Sequence, residues 1–271
     1  FVSIKDRLDE IKSDEIESND IEFKNEYFVS GGTDLFVQRP DEMIKSNVKL
    51  LQYDKSLFGV KTVNGDCIIG SNTSVEEIHN SEIFKKYFPE IDKYMLLFGS
   101  TPIRNSATIG GNLNNASPIG DMTNFFMALN SIVTLTDGKS ERDIPLNKYY
   151  LSYKKTDRNS DEIMKSIKFK IPEGNYYFNF EKVSKRTYLD IASVNTSVLL
   201  FIENNLISEI NLSAGGVSAI PLYLFKTCEF LKQKELNIEN LNEALTIVQN
   251  EISPISDARG SADYKRMLLN G

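Results

Sequence analysis

The stretch TIGGNLNNASPIGDM at residues 108–122 holds three glycines, three asparagines and almost no bulky side chain. Gly110 and Gly111 have no Cβ atom, so the backbone there can approach another group closely. Backbone N–H groups and neutral polar side chains together suit a bound phosphate. The stretch VSGGTDL at 29–35 has the same character. Two such loops could hold the two phosphates of a dinucleotide, or each could be a tight turn in a β-rich domain.

Motif patterns and composition narrow the class of protein. Neither loop matches the G-x-G-x-x-G or the P-loop pattern, so neither a Rossmann site nor an NTPase is supported. The 271 residues are 41% hydrophobic and 25% charged, which indicates a soluble globular protein. The net charge is −7 and no stretch is rich in Lys and Arg, which argues against nucleic-acid binding. Apolar runs such as VLLFI at 198–202 are far too short to cross a membrane.

Metal-binding residue types are scarce in this chain. Cys67 and Cys228 stand alone and His79 is the only histidine, so the chain by itself predicts no iron–sulfur cluster and no metal site. His79 lies in a solvated helical pattern, and we expect no chemical role for it.

The chain begins with FVSIKDRLDEIKSDE, which is charged and has apolar residues at helical spacing. This pattern predicts a helix and differs from a signal peptide, so we expect a cytoplasmic protein. No initiator Met is present, and we expect the chain to be a piece of a longer protein.

Turn signals and periodicity predict both strands and helices in the first part of the chain. EYFVS at 26–30 predicts a short buried strand. Asn64-Gly65 and Asp137-Gly138 each lie between strand-like runs and predict two β-hairpins. Residues 74–100 read as mostly helical with a break before Pro89, and MTNFFMAL after the small-residue stretch reads as another helix.

The pattern of predicted secondary structure changes at residues 173–175. Beyond this point three β-rich segments are followed by three helical segments, at 221–232, 238–250 and 260–269. Strands followed by helices within one stretch indicate an α+β unit. We therefore predict two domains, 1–174 and 175–271.

Several segments resemble one known family. GSTPIRNSATIGGNLNNASPIGD at 99–121 is similar to the flavin-binding signature of the molybdenum hydroxylases, I-R-N-x-A-T-x-G-G-N followed by A-S-P-x-x-D. VSGGTDL resembles their first phosphate loop, and KVSKRTYLDIASVN at 182–195 resembles their K-x-x-x-R-x-x-x-D-I-A segment. LSAGGVSAIPL and ISDARGSADYKRML resemble two later landmarks, so the match runs in order over essentially the whole chain.

The resemblance implies an α+β fold. A PCMH-type FAD-binding domain, related to that of vanillyl-alcohol oxidase, would be followed by a smaller α+β C-terminal domain of the CO dehydrogenase flavoprotein type. FAD would bind noncovalently, because no His or Cys stands in an attachment position. The expected FAD contacts are Phe28, Val29, Ser30, Gly31, Gly32, Thr33, Asp34, Leu35, Phe98, Thr108, Gly110, Gly111, Asn112, Asn115, Ser117, Asp121, Met164 and Lys182.

The resemblance also implies separate roles for these contacts. Backbone N–H groups of residues 28–35 would hold phosphate oxygens, with the hydroxyl of Thr33. Asp121 would accept hydrogen bonds from cofactor hydroxyls, since an ionised carboxylate only accepts. Phe98 would stack on the adenine, or it is simply a core aromatic at a helix end. Met164 would be an apolar neighbour of the cofactor.

Lys182 is the expected catalytic residue. A cation near the pyrimidine side of the flavin stabilises negative charge on the reduced ring. The alternative interpretation is a solvated lysine on a strand. Arg186 and Asp190 mark the loop that approaches the flavin in the family, or they form a structural ion pair. The sequence departs from the family at Asn114-Asn115 and at Gly120, where small or hydroxyl residues are common.

The function that the resemblance implies is electron transfer. Electrons would arrive one at a time from [2Fe-2S] clusters, collect on FAD and leave to NAD+ or another acceptor. The molybdopterin-binding large subunit and the [2Fe-2S] domain, upstream in the same chain or separate, would be partners, and purine is the expected substrate of the complete enzyme. Two alternatives remain open: a stand-alone flavin oxidoreductase of the same fold that acts on a small substrate, and a scaffold that holds no cofactor.

Overall fold

The structure, a computed structural model, describes residues 27–270 apart from the side chain of Ile44. The helix predicted at the start of the chain lies outside the described residues. Between residues 27 and 270, no helix is both long and apolar enough to cross a membrane.

The described chain begins with a small unit around two parallel strands. Strand β1 (Tyr27–Val29) pairs with β2 (Val48–Leu50), and the short helices α1 (Leu35–Gln38) and α2 (Pro40–Ile44) connect them. The strand predicted at 26–30 is therefore confirmed at β1.

A five-stranded antiparallel sheet forms the centre of the first part. Its strands are β3 (Val60–Val63), β4 (Asp66–Gly70), β5 (Ile132–Thr136), β6 (Glu141–Pro145) and β9 (Ile163–Lys170). They lie in the order β3–β4–β9–β5–β6. Both predicted hairpins are confirmed, and Asn64, Gly65 and Gly138 have the positive φ angles that such tight turns require.

Helices and a small hairpin complete this part. The helices are α3 (Val75–Asn80), α4 (Glu82–Tyr87), α5 (Ile91–Leu96), α6 (Thr101–Ser106), α7 (Ile109–Asn114), α8 (Asp121–Ala128) and α9 (Leu146–Tyr149), and the hairpin strands are β7 (Tyr150–Ser152) and β8 (Lys155–Thr156). The predicted break in the helical stretch 74–100 is confirmed before Pro89.

Aromatic side chains from these helices fill the core against one face of the sheet. Phe84 and Phe125 lie with ring centroids 6.3 Å apart, and Phe84 contacts Phe169 of β9 edge-on at 6.0 Å. All three are buried. The core therefore fixes the helices, including α8, relative to the sheet.

His79 occupies a different environment from the expected one. Its side chain on α3 is largely buried, and its Nε2 atom lies 2.8 Å from Oδ1 of Asp92 on α5. The expectation of a solvated position is wrong, because the neighbouring helix covers this face of α3.

The second part is a four-stranded antiparallel sheet followed by helices. The predicted order of strands before helices is confirmed, but the sequence predicted three β-rich segments, and the short fourth strand lies within the stretch 221–232 predicted as helical. The strands are β10 (Tyr176–Val183), β11 (Val194–Glu203), β12 (Leu206–Gly215) and β13 (Leu222–Tyr223), and the helices are α10 (Phe225–Leu231), α11 (Ile238–Glu251) and α12 (Ala262–Leu268). Helix α8 packs against β11 and β12, and Tyr94 of α5 donates to the carbonyl of Phe178 on β10 at 3.1 Å. These contacts place α8 and α5 against the second sheet.

Candidate functional site

The segment at residues 29–35, here called loop 1, connects β1 to α1. Gly32 has a φ of +67°, a conformation that favours glycine. In the described part of the chain, the backbone N–H groups of residues 30–34 donate to no protein acceptor. Successive unpaired N–H groups in a turn form a concavity that suits an anion. Loop 1 therefore presents a row of N–H donors, and the contact of residues 28–35 with a phosphate stays a prediction.

The glycine at position 31 permits a close approach to the chain itself. A Cβ atom on Gly31 would lie 1.6 Å from the carbonyl oxygen of Ser106, at the end of α6. The hydroxyl of Ser30 donates to Oδ1 of Asn72, whose Nδ2 atom donates to the carbonyl of Leu51. Loop 1 thus rests on two other segments, and the buried Asn72 ties it to the end of β4.

The second small-residue segment, residues 108–117 and here called loop 2, is not an open loop throughout. Its first half is the helix α7, so the expectation of a loop is wrong there. Thr108 caps this helix, and its Oγ1 atom accepts from the N–H of Gly111 at 3.2 Å. Glycine and asparagine are weak helix formers, so tertiary contacts have to stabilise this short helix.

The tertiary contacts of α7 explain why residue 110 is a glycine. Its N–H donates to the carbonyl of Ser71 at 2.7 Å, and a Cβ atom there would lie 2.9 Å from that same oxygen. The N–H of Ile109 donates to the carbonyl of Thr73 at 3.0 Å. These backbone donors are used within the chain, so the groups that loop 2 can offer to a ligand are chiefly side chains.

Three further positions of loop 2 differ in what they offer to a ligand. Asn112 has a buried Oδ1 atom without a hydrogen-bond partner among residues 27–270. Gly111 is exposed, and a Cβ atom there would meet only Oγ1 of Thr108, at 3.0 Å. Ser117 is half-buried, and its Oγ atom accepts only a long bond of 3.4 Å from the N–H of Ile119.

The two loops lie side by side. Gln38 places its Nε2 atom 3.4 Å from Oδ1 of Asp34 and 3.4 Å from Oδ1 of Asn115, which joins the end of loop 1 to loop 2. The ammonium of Lys154, on the turn between β7 and β8, donates to the carbonyl oxygen and to Oδ1 of Asn115 at 2.7 and 2.8 Å. Burial lowers the pKa of Lys154, and the nearby carboxylate of Asp34 partly opposes this effect.

Asp121 and Lys182 form a buried ion pair. Nζ of Lys182 lies 2.7 Å from Oδ2 of Asp121, and it donates to the carbonyl of Leu97 at 2.8 Å. The Lys182 side chain is 3% exposed, so the alternative of a solvated lysine is wrong. Burial raises the pKa of Asp121, while the ammonium of Lys182 and the amide of Asn195 act in the opposite direction.

Phe98 follows α5 in a turn that Arg104 stabilises. The buried Arg104 donates to the carbonyls of Phe98 and Gly99 at 3.3 and 3.2 Å, and to Oε2 of Glu76 at 2.6 Å. The Phe98 ring is half-buried beside the main core. Its stacking on an adenine stays a prediction.

Other sequence features are used within the fold. Met164 is buried in the main core on β9, and its place beside the cofactor stays a prediction. Asn114 accepts from the hydroxyl of Tyr149 at 2.6 Å. A Cβ atom at Gly120 would lie 2.9 Å from Oγ1 of Thr123, so the missing side chain here makes room for the first turn of α8.

Asp190 organises the turn between β10 and β11. Its Oδ2 atom accepts from the N–H of Arg186 at 3.0 Å, and its Oδ1 atom accepts from the N–H of Ile191 at 2.9 Å. The guanidinium groups of Arg186 and Arg259 lie 3.6 and 3.5 Å from its Oδ1 atom. The carboxylate therefore has a structural role in this turn.

Three residues of this region were missed by sequence reasoning: Asn72, Lys154 and Asn195. Asn72 stands in the polar run SNTS directly after a buried strand, which is a weak signal for a buried amide. Asn195 ends the segment that resembles the family, and nothing local distinguishes it from its neighbours. Lys154 is one of two adjacent lysines, and only the packing of the hairpin shows which one reaches loop 2.

Family comparisons are consistent with this architecture. Residues 21–173 match the family described as the FAD binding domain in molybdopterin dehydrogenase. Residues 179–271 match the CO dehydrogenase flavoprotein C-terminal domain.

Curated relatives include both separate subunits and longer chains. The chain is 29% identical over 210 residues to the glyceraldehyde dehydrogenase medium chain of Sulfolobus acidocaldarius, covering 78% of this chain and 74% of that one. It is 34% identical over 177 residues to xanthine dehydrogenase 1 of Arabidopsis thaliana, covering 63% of this chain and 13% of that one.

The solved structures share this fold. A chain of the carbon monoxide dehydrogenase from Hydrogenophaga pseudoflava superimposes with a TM-score of 0.86 at 20% identity, over 91% of this chain and 86% of that chain. The agreement covers most of the chain, so the fold described above is a known α+β architecture.

Proposed function

The chain belongs to the family of FAD-binding domains of molybdopterin dehydrogenases, and on this premise we propose that it is the electron-transfer module of a molybdenum hydroxylase of the xanthine dehydrogenase type. In this role it receives electrons from [2Fe-2S] clusters and passes them to NAD+ or another acceptor. The similarity to a plant xanthine dehydrogenase supports this type.

The N–H groups of residues 30–34, which have no acceptor within the described part of the chain, carry the proposed FAD-binding role. These donors lie beside loop 2, because Gly31 packs on Ser106, two residues before loop 2, and Gln38 joins Asp34 to Asn115. A diphosphate needs several donors, and neither loop contains Lys or Arg to supply them. Backbone N–H groups provide this stabilisation without a flexible side chain. The residues present therefore fit the diphosphate of FAD.

Side chains around the loops complete the proposed site. Thr33 adds a hydroxyl beside the N–H groups of loop 1. The Oδ1 atom of Asn112 is buried and has no partner among residues 27–270, and we assign it as an acceptor for a cofactor hydroxyl. Lys182 stabilises negative charge at the flavin, held by Asp121 and the carbonyl of Leu97. When bound, FAD supplies the ability to accept single electrons and to release them in pairs.

The two predicted domains divide these tasks. Domain 1–174 contains both loops and Asp121, and domain 175–271 contributes Lys182 from β10. We place the boundary at about residue 174, in the turn between β9 and β10 where Gly174 has a φ of +83°. On this division, the part of the site proposed to hold the flavin ring is built from residues of both domains.

The proposed partners follow from the relatives. The name medium chain in the Sulfolobus protein implies other chains in that enzyme. By analogy, we assign a molybdopterin-binding large subunit and a [2Fe-2S] domain or subunit as partners here, with purine as the substrate class and the cytoplasm as the location.

The test begins with the cofactor. The purified full chain is denatured, and the released flavin is identified by mass and by its fluorescence. We expect FAD, released without proteolysis. A colourless protein that FAD cannot reconstitute would overturn the proposal in favour of a scaffold without cofactor.

A second measurement tests the electron acceptor. The FAD-loaded chain is reduced under anaerobic conditions and mixed with NAD+, and NADH is followed by absorbance. Formation of NADH supports the acceptor. Turnover of a small organic substrate by the chain alone, without a molybdenum partner, would instead favour a stand-alone oxidoreductase.

A further inference from the structure

Two buried asparagines extend the Asp121–Lys182 pair into the second sheet. Nδ2 of Asn195 on β11 donates to Oδ1 of Asp121 at 2.6 Å and to the carbonyl of Ile119 at 3.2 Å. Nδ2 of Asn124 on α8 donates to Oδ1 of Asn195 at 2.5 Å. Asn195 and Asn124 are 1% and 0% exposed. The four side chains thus form one chain of hydrogen bonds.

The glycine at position 215 makes room for this chain of hydrogen bonds. A Cβ atom on Gly215 would lie 2.2 Å from Nδ2 of Asn124 and 2.2 Å from Oδ1 of Asn195. The φ angle of Gly215 is not positive, so its backbone does not itself require glycine. The first glycine of the SAGG segment is therefore explained by the two amides that it faces.

Each carboxylate oxygen of Asp121 has its own partner. Oδ2 binds the ammonium of Lys182, and Oδ1 binds the amide of Asn195. Since Ile119 also accepts from the same Nδ2 atom, the amide cannot turn without losing two bonds. The orientation of the Asp121 carboxylate, and with it the position of the ammonium, is set from β11.

We propose that Asn195 is a positioning residue for the flavin, which holds the Asp121–Lys182 pair in place and raises the reduction potential of bound FAD. This inference rests on the proposed function, because it needs FAD beside Lys182. Asn195 acts through Asp121 and is not assigned a contact with the cofactor.

The direction in which Asn195 shifts the reduction potential of bound FAD follows from the charges of the pair. The N–H dipole of Asn195 offsets part of the negative charge of Asp121, so more of the positive charge of Lys182 is available to the reduced flavin. Without this N–H group, the pair is more negative and freer to move. Reduction of FAD then becomes harder and its potential falls.

Three single variants of the full chain, each loaded with FAD, test the inference. Asn195→Ala removes the amide, and Gly215→Ala displaces it while keeping all four polar side chains. Ser197→Ala is the matched control, because Ser197 is buried on the same strand and its hydroxyl has no hydrogen-bond partner in the described chain. The potential is measured by redox titration, with circular dichroism and the visible FAD spectrum as checks of folding.

We expect Asn195→Ala and Gly215→Ala each to lower the ratio of affinities for reduced and oxidised FAD by about tenfold, which is about 30 mV for a two-electron couple. Ser197→Ala should keep the potential of the parent. In a Lys182→Met background, Asn195→Ala should have little further effect, because both substitutions disrupt the same interaction.

Two results would overturn the positioning role alone. The first is a parent-like potential in a folded Asn195→Ala protein, and Gly215→Ala decides this point if Asn195→Ala does not fold. The second is an effect of Asn195→Ala that is undiminished in the Lys182→Met background. A parent protein that binds no FAD would instead overturn the proposed function, and this inference with it.

Discussion

The ammonium of Lys182 lies 2.7 Å from Oδ2 of Asp121, although 61 positions separate the two residues in the sequence. Lys182 is on β10 of the second sheet and Asp121 begins α8 in the first part of the chain. The cation proposed to act on the flavin is therefore half of a buried pair, and its effect depends on the charge of its partner.

Lys182→Met should lower the reduction potential of bound FAD by tens of millivolts. Met keeps the apolar stem and removes the charge, so Asp121 is left without its cation. A free-energy change of about 1.4 kcal/mol corresponds to about 30 mV for two electrons. The measurement is a redox titration of parent and variant in one buffer.

The difference in reduction potential between the parent and Lys182→Met should change with pH in a defined direction. Burial raises the pKa of Asp121 in the parent, and loss of Lys182 raises it further. As the pH rises through the new pKa, the variant gains a negative charge and the difference in potential should grow. Lys185→Met is the matched control, because Lys185 binds the carbonyl of Ala258 and lies outside the pair. An equal loss in this control would contradict the role of Lys182.

The adjacent glycines at 110 and 111 should respond differently to substitution by valine. Gly111→Val should reduce FAD affinity more than tenfold, because its side chain would occupy space where the backbone of loop 2 would meet the cofactor. It should change Tm by only a few degrees, because a new Cβ would meet only the hydroxyl of Thr108. Gly110→Val should destabilise the fold, because its Cβ would collide with the backbone of Ser71. Thermal melts and FAD titrations separate the two effects. If Gly111→Val bound FAD like the parent, loop 2 would not contact the cofactor at this point.

Ser30→Ala and Asn72→Ala should both weaken FAD binding, by roughly tenfold or about 1.4 kcal/mol. Each removes the hydrogen bond that ties loop 1 to the end of β4. The double variant should bind about as weakly as Asn72→Ala, since both changes remove one shared contact. FAD fluorescence titration gives the three affinities. Ser81→Ala serves as control, since the Ser81 side chain makes no capping bond.

Glu162 should contribute stability that is lost in acid. Arg142 holds its two carboxylate oxygens at 2.6 and 2.7 Å, and this hydrogen bonding lowers the pKa of Glu162. A lowered pKa means that the contribution is complete above the ordinary carboxyl pKa and disappears as the pH falls through the folded value.

Glu162→Gln should therefore cost about 1–3 kcal/mol of unfolding free energy near neutral pH and less at low pH. Urea unfolding at several pH values provides the measurement. Glu173→Gln, at an exposed position, should leave the curve of the parent unchanged. A constant cost at all pH values would show that the charge of Glu162 is not the source.

The conformations of loops 1 and 2 show how much of the backbone structure the local sequence predicts. Small residues at 29–35 predicted a phosphate-binding loop or a tight turn, and the structure has a turn here because glycine accepts the positive φ at Gly32. The same reasoning predicted a loop at 109–114, where the structure has α7. Hydrogen bonds to Ser71 and Thr73, more than thirty residues away, stabilise this helix against its weak local propensity.

The sequence alone determined the hairpin turns, the strands and helices with clear periodicity, the turn of loop 1 and the family. These features depend on backbone preferences and spacing within a few residues. Only the tertiary structure decided that Lys182 is paired and buried, that Asn72 holds loop 1 and that Asn195 reaches Asp121. Hydrogen bonds across 42, 61 and 74 positions form only when particular elements pack together, because burial makes an unpaired polar group costly and so selects its partner.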